Sequence, residues 1–127
     1  MTTTYEQGMS MLRSHFGNRA DAMIEKLGKI SSDFADINVT FPFGQLYQRD
    51  VLDQKTRELI AIAAITCLGA GTPQLRLHAY GAMNVGATKE EIFEVIIQMI
   101  AYAGFPFATN ALIAASEGID DWEQEQP

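Results

Sequence analysis

Leu59-Ile60-Ala61-Ile62-Ala63-Ala64-Ile65 is the stretch on which the fold turns. It is apolar on every side of a helix and does not alternate with a period of two. Asp53 is placed to cap a helix that runs on to about Leu68, and Gly69 and Gly71 end it. A helix without a polar face belongs in the middle of a core or of an oligomer.

Downstream of this run the punctuation is regular. Thr72-Pro73 reads as an N-cap followed by proline at the first helical position. That helix reaches Val85, and Gly86 suits a left-handed terminal residue. Thr88-Lys89-Glu90-Glu91 has the threonine and glutamate of a capping box. It opens a helix carrying Ile92, Val95, Ile96, Met99 and Ala103, which Gly104 stops. Pro106 starts a last helix through Ala115, closed by Gly118. The acidic tail, residues 119–127, is expected to fray.

Upstream, Tyr5, Met9, Leu12 and Phe16 fall on one helix face before Gly17-Asn18 breaks the pattern. Ala22, Met23, Leu27 and Ile30 make a second helix. Phe34 to Tyr47 is helical too, with Pro42 and Gly44 marking a kink or break. The prediction is an all-α chain of six or seven helices. They form a single-domain orthogonal or antiparallel bundle over residues 1–127, with short turns between antiparallel neighbours.

Composition narrows the function. The 127 residues carry a formal charge of −7. That excludes the basic footprint of nucleic-acid binding and disfavours an anionic membrane surface as partner. The apolar run from Leu59 to Leu68 is about half a membrane-spanning length. The N-terminus has neither the basic nor the apolar region of a signal peptide. Cys67 is the single cysteine. An internal disulfide is therefore impossible, and a reduced cytoplasm is the expected location.

Three blocks carry a resemblance. The first is Leu52-Asp53-Gln54-Lys55-Thr56-Arg57-Glu58-Leu59. The second is Gln74-Leu75-Arg76-Leu77-His78 with Gly86-Ala87-Thr88-Lys89-Glu90-Glu91-Ile92. The third is Glu94-Val95-Ile96-Ile97-Gln98, leading into Tyr102-Ala103-Gly104-Phe105-Pro106 and Asn110-Ala111-Leu112. In this order and spacing the chain resembles the carboxymuconolactone decarboxylase family, from about Tyr5 to Gly118.

The resemblance implies the helical fold shared with alkylhydroperoxidase D. It also implies a homo-oligomer, a hexamer built as a trimer of dimers or a trimer. The implied activity is cofactor-independent decarboxylation of γ-carboxymuconolactone in aromatic-compound catabolism. The peroxidase branch of the superfamily uses C-x-x-C-x-x-x-H. With that histidine set on His78, Gly71 and Gln74 occupy the two cysteine positions. A disulfide-forming peroxide cycle needs a second thiol, which this chain lacks.

Loss of carbon dioxide leaves an electron pair that needs a sink. No lysine Schiff-base motif or cofactor fingerprint is evident, so no cofactor or metal is assigned. An unsaturated lactone can supply the sink itself as a dienolate. The protein must then anchor carboxylates, stabilise an oxyanion and return a proton to carbon. His78 is the candidate proton or oxyanion donor, because imidazole titrates near neutrality. The competing reading is a buried, hydrogen-bonded core histidine.

Glu58, one turn before Ile62, is the candidate that orients His78. The competing reading is a glutamate favoured by the helix dipole. This mechanism requires His78 to open onto a small hollow with the Glu58 carboxyl beside it. Arg49, Arg57 and Arg76 are candidate carboxylate anchors, each against the alternative of a salt bridge. Tyr102 is a candidate pocket wall, against a core role, and Cys67 reads as a small buried hydrophobe. Trp122 has no role legible in the sequence. The competing functions are an antioxidant hydroperoxide reductase, against which the missing cysteine pair argues, and a non-enzymatic oligomeric binding protein.

Overall fold

A computed structural model of the chain describes residues 2–69 and 71–127. Every regular element among them is helical. The elements are α1 (Thr4–Phe16), α2 (Asn18–Ile30), α3 (Ser32–Asn38), a π-helical segment (Val39–Leu46), α4 (Gln54–Leu68), α5 (Thr72–Asn84), α6 (Lys89–Ala103) and α7 (Phe105–Gln124). The all-α prediction holds. By internal contacts the chain divides into two units, Met1–Asp53 and Gln54–Pro127.

In the first unit, Thr3 caps α1 by accepting the Glu6 amide at 3.1 Å. Met9, Leu12 and Phe16 turn inward as their spacing requires, whereas Tyr5 stays exposed. The α1 backbone touches the π-helical segment at Gly8. A Cβ there would stand 2.3 Å from the Val39 carbonyl oxygen.

Pro42 does not break the helix. The chain winds into a wider coil in which the Tyr47 amide donates to the Pro42 carbonyl, five residues back, at 2.8 Å. A proline lacks an amide hydrogen and its ring crowds the carbonyl four residues earlier. The wider turn accommodates both defects.

The second unit is built around small side chains. Ile62, Leu75, Ala79, Ala82, Ile92, Ile96, Ala108, Ala111, Ala115 and Ile119 form its core. The alanines let α5 and α7 pack closely. At Gly118 the two helices meet backbone to backbone, since a Cβ there would lie 2.1 Å from the Arg76 carbonyl oxygen. Gly118 is therefore a contact residue inside α7 and not its stop, which corrects the expected boundary.

The tail is likewise helical as far as Gln124. Trp122 Nε1 donates to Asn84 Oδ1 at 2.8 Å, which accounts for a tryptophan in an acidic segment. The tail's first residue, Ile119, is buried in the core.

The capping box of α6 is complete. Thr88 Oγ1 accepts the Glu91 amide, and the Glu91 carboxylate accepts the Thr88 amide. The α5 start is shifted by one residue, with Gly71 at the cap and Thr72 already helical. On α4 only a stripe is buried, consisting of Glu58, Ile62 and Thr66 at four-residue spacing. Ile60 and Leu68 are 51% and 75% exposed. The apolar outer surface of α4 is thus open in the single chain.

Candidate active site

The buried stripe of α4 begins with a charge. Glu58 has no solvent exposure, and below it lie Ile62 and then Thr66, whose hydroxyl is satisfied by the Ile62 carbonyl at 2.7 Å. A carboxylate removed from water requires a partner, or its burial costs several kcal/mol (roughly 3–5). The partner comes from α5. His78 Nδ1 lies 2.9 Å from Glu58 Oε1 and 3.3 Å from Oε2.

The local sequence explains the meeting. The helix start at Thr72-Pro73 directs α5 back along α4, with Leu75, Ala79 and Ala82 buried around the histidine. The histidine therefore rides at the edge of an apolar face.

With Glu58 ionised, its carboxylate can only accept, and Nδ1 then carries the hydrogen and donates it to Glu58. Nε2 is then the nitrogen that can take up or give up a proton. The His78 side chain keeps 14% of its surface open, against none for Glu58. Such a pair can hold one imidazole tautomer in a fixed orientation and exchange a proton at the other nitrogen.

The other candidates are placed differently. Arg57 is half-buried on the first turn of α4, next to Glu58 in sequence. Arg49 is exposed in the turn after the π-helical segment, in the first unit. Arg76 faces α7, where Nε meets Asp121 at 2.7 Å and a terminal nitrogen meets Glu117 at 3.0 Å. Asp121 chiefly raises the Arg76 pKa above its ordinary value, through its hydrogen bond and then its charge. With two carboxylates on it, Arg76 is an inter-helix tie, and its reading as a carboxylate anchor is set aside.

Tyr102 is 74% exposed and lines none of the hollows described below. Phe105 beside it is 69% exposed. Cys67 is exposed as well, contrary to the buried reading, and its thiol lies 3.6 Å from the Met99 sulfur.

Three hollows of the second unit open elsewhere than at the imidazole. One of about 360 Å³ is lined by Thr72, Pro73, Arg76, Asn110, Ile113, Ala114 and Glu117. An apolar groove of about 500 Å³ runs between α4 and α6, over Leu59, Ile60, Ala63, Val95 and Met99. A third of about 10 Å³, room for one water, lies at Thr66, Gly71 and Leu75. His78 lines none of these three. The carboxyl half of the requirement set by the mechanism is met, and these hollows do not supply the other half.

Sequence reasoning missed two features near the site. The four-residue spacing of Arg76, Tyr80 and Asn84 on the far side of α5 was the available signal for a second contact surface. The four-residue spacing of Glu117, Asp121 and Glu125 was its counterpart. No group of three or more metal-binding side chains occurs among the described residues. No described helix is long and apolar enough to cross a membrane.

Residues 32–117 match the model of the carboxymuconolactone decarboxylase family. The chain is 31% identical over 118 residues to 4-carboxymuconolactone decarboxylase of Acinetobacter baylyi, covering 92% of this chain and 87% of that protein. It is 43% identical over 84 residues to an uncharacterized 15.0 kDa protein of Paracoccus denitrificans, 65% of this chain and 63% of the other. It is 35% identical over 79 residues to nitrosuccinic acid decarboxylase of Metarhizium robertsii, 62% of this chain and 54% of that enzyme. The matched span contains both Glu58 and His78, and the chain belongs to the carboxymuconolactone decarboxylase family.

Proposed function

We propose that the protein is a cofactor-independent carboxy-lyase acting on a small acid whose own functional group accepts the electron pair left by carbon dioxide. The observation that carries this reading is the buried Glu58 carboxylate held on His78 Nδ1. Glu58 holds the ring through Nδ1, and His78, protonated at Nε2 as the imidazolium, gives that proton to carbon or to the developing oxyanion and is then reprotonated from water. Arg57, half-buried beside Glu58 in sequence, is the first choice for a carboxylate anchor and Arg49 the second.

The names of two relatives support the substrate class. A γ-carboxymuconolactone and a nitrosuccinic acid both join a carboxylate to a group that can take up negative charge, an unsaturated lactone in one and a nitro group in the other. The γ-carboxymuconolactone type is the leading choice, because that relative matches over nearly the whole chain.

The working form is a homo-oligomer, a hexamer arranged as a trimer of dimers or a trimer. The support is the apolar surface left open, at Ile60, Leu68, Ile97, Tyr102 and Phe105. A neighbouring subunit would supply further walls around the histidine.

The test is decarboxylation of 4-carboxymuconolactone and of nitrosuccinate, followed by absorbance and by released carbon dioxide. Turnover of either acid is expected. In His78→Ala the rate per folded molecule falls about 100-fold or more, the usual worth of a general acid or base. A variant as active as the parent would remove the mechanism.

A further inference from the structure

The face of α5 opposite His78 is held by a row of polar contacts. Arg76 pairs with Glu117 and Asp121, the Tyr80 hydroxyl donates to Glu125, and Asn84 accepts from Trp122. These three α5 residues are spaced four apart, and at 100° per residue they centre about 160° around the helix from His78. Their partners all lie between Glu117 and Glu125, in the last turns of α7 and its terminal cap. Tyr80 is 7% exposed, so its hydroxyl needs this partner. At the same level Gly118 brings the α7 backbone onto the Arg76 carbonyl.

The geometry matters for the site. The Glu58 contact lies on one side of α5 and the row on the other. A roll of α5 by ~20° swings a group about 6 Å off its axis through about 2 Å. That displacement takes a 2.9 Å contact past hydrogen-bonding range. Contacts from three residues spread over two turns, with the close approach at Gly118, resist such a roll from the opposite side of the helix.

We infer that Arg76, Tyr80 and Asn84 are positioning residues, which grip the C-terminal part of α7 and thereby hold His78 on Glu58. The segment beyond Gly118 belongs to the catalytic apparatus through this grip, although it touches no substrate. The inference rests on His78 being the acid–base residue, but the contact it protects can be read without any substrate.

The experiment uses the full-length protein with ¹⁵N-labelled histidine. The chain has two histidines, so the ring of His15 serves as an internal control. The readout is exchange with water of the His78 Nδ1 hydrogen held by Glu58. In the double variant Arg76→Gln, Tyr80→Phe, exchange at His78 accelerates about tenfold or more while that at His15 does not change. Arg76→Lys, which keeps one charge contact, falls between parent and double variant.

A lowered melting temperature with unchanged His78 exchange would show that the row is structural only and would overturn the inference. If the double variant does not fold, Asn84→Ala removes the exposed Trp122 contact and is read the same way. Absence of turnover on every acid tried, with the exchange effect present, would overturn the proposed function and leave the grip standing.

Discussion

Histidine occurs twice in this chain, once in each unit, and the two occurrences are opposites. His15 is completely buried and ringed by Phe16, Phe43 and Tyr47, with ring centroids 5.8, 6.3 and 5.4 Å away. His78 is at the edge of its helix pair, 14% open, with a carboxylate on Nδ1. The first imidazole packs among aromatic rings, and the second meets a carboxylate. The neighbours separate the two: rings around one, an acid beside the other.

Three substitution experiments can break or sharpen this contrast. The largest effect on stability is expected at His78, for an electrostatic reason. Removing the ring takes from the buried Glu58 charge its partner on α5, so His78→Ala loses about 3–5 kcal/mol in denaturant unfolding. Adding Glu58→Gln to that variant restores most of the loss, because the buried charge is gone, but no catalytic rate returns. Failure of the second substitution to restore stability would mean that His78 is held by packing, like His15.

His15→Ala comes next, at about 2–4 kcal/mol, from a cavity in an aromatic cluster. No change of one neighbouring charge should rescue it, and the rate per folded molecule should persist. A loss of rate there would erase the distinction between the two histidines.

The smallest effect separates carboxylate titration from either ring. The Thr88 amide, and then Lys55, hold the Glu91 carboxyl below its ordinary value of 4.5. A depressed carboxylate pKa contributes stability that is present above the ordinary value and lost as pH falls through the folded one. Thr88→Ala costs about 1 kcal/mol at neutral pH. Glu91→Gln, which removes the titrating carboxyl itself, flattens the acid side of the stability profile. An unchanged acid side would transfer that pH dependence to other groups.

Much of the fold is legible because helical periodicity and caps are local. The α6 capping box, the inward face of α1 and the glycine after α5 are all determined within one or two turns. The Glu58–His78 pair is legible for a related reason: a short connection makes α4 and α5 neighbours, and a carboxylate on an apolar stripe has to find a partner. What failed is what depends on distant residues. Gly118 was read as a helix stop because glycine alone does not reveal that a backbone passes close by. For Arg76 a salt bridge is the alternative the sequence offers, but its acids cannot be named from sequence because they lie some forty residues away. Cys67 and Tyr102 were misjudged because α4 and the end of α6 keep apolar surface outside, so hydrophobicity there does not report burial in the chain.

Cys67 also offers a practical handle. It is the chain's only thiol, and it opens on the bare apolar flank of α4. A maleimide dye would therefore attach at one defined place, without engineering. How fast it reacts at rising protein concentration would report whether neighbouring molecules shield that flank.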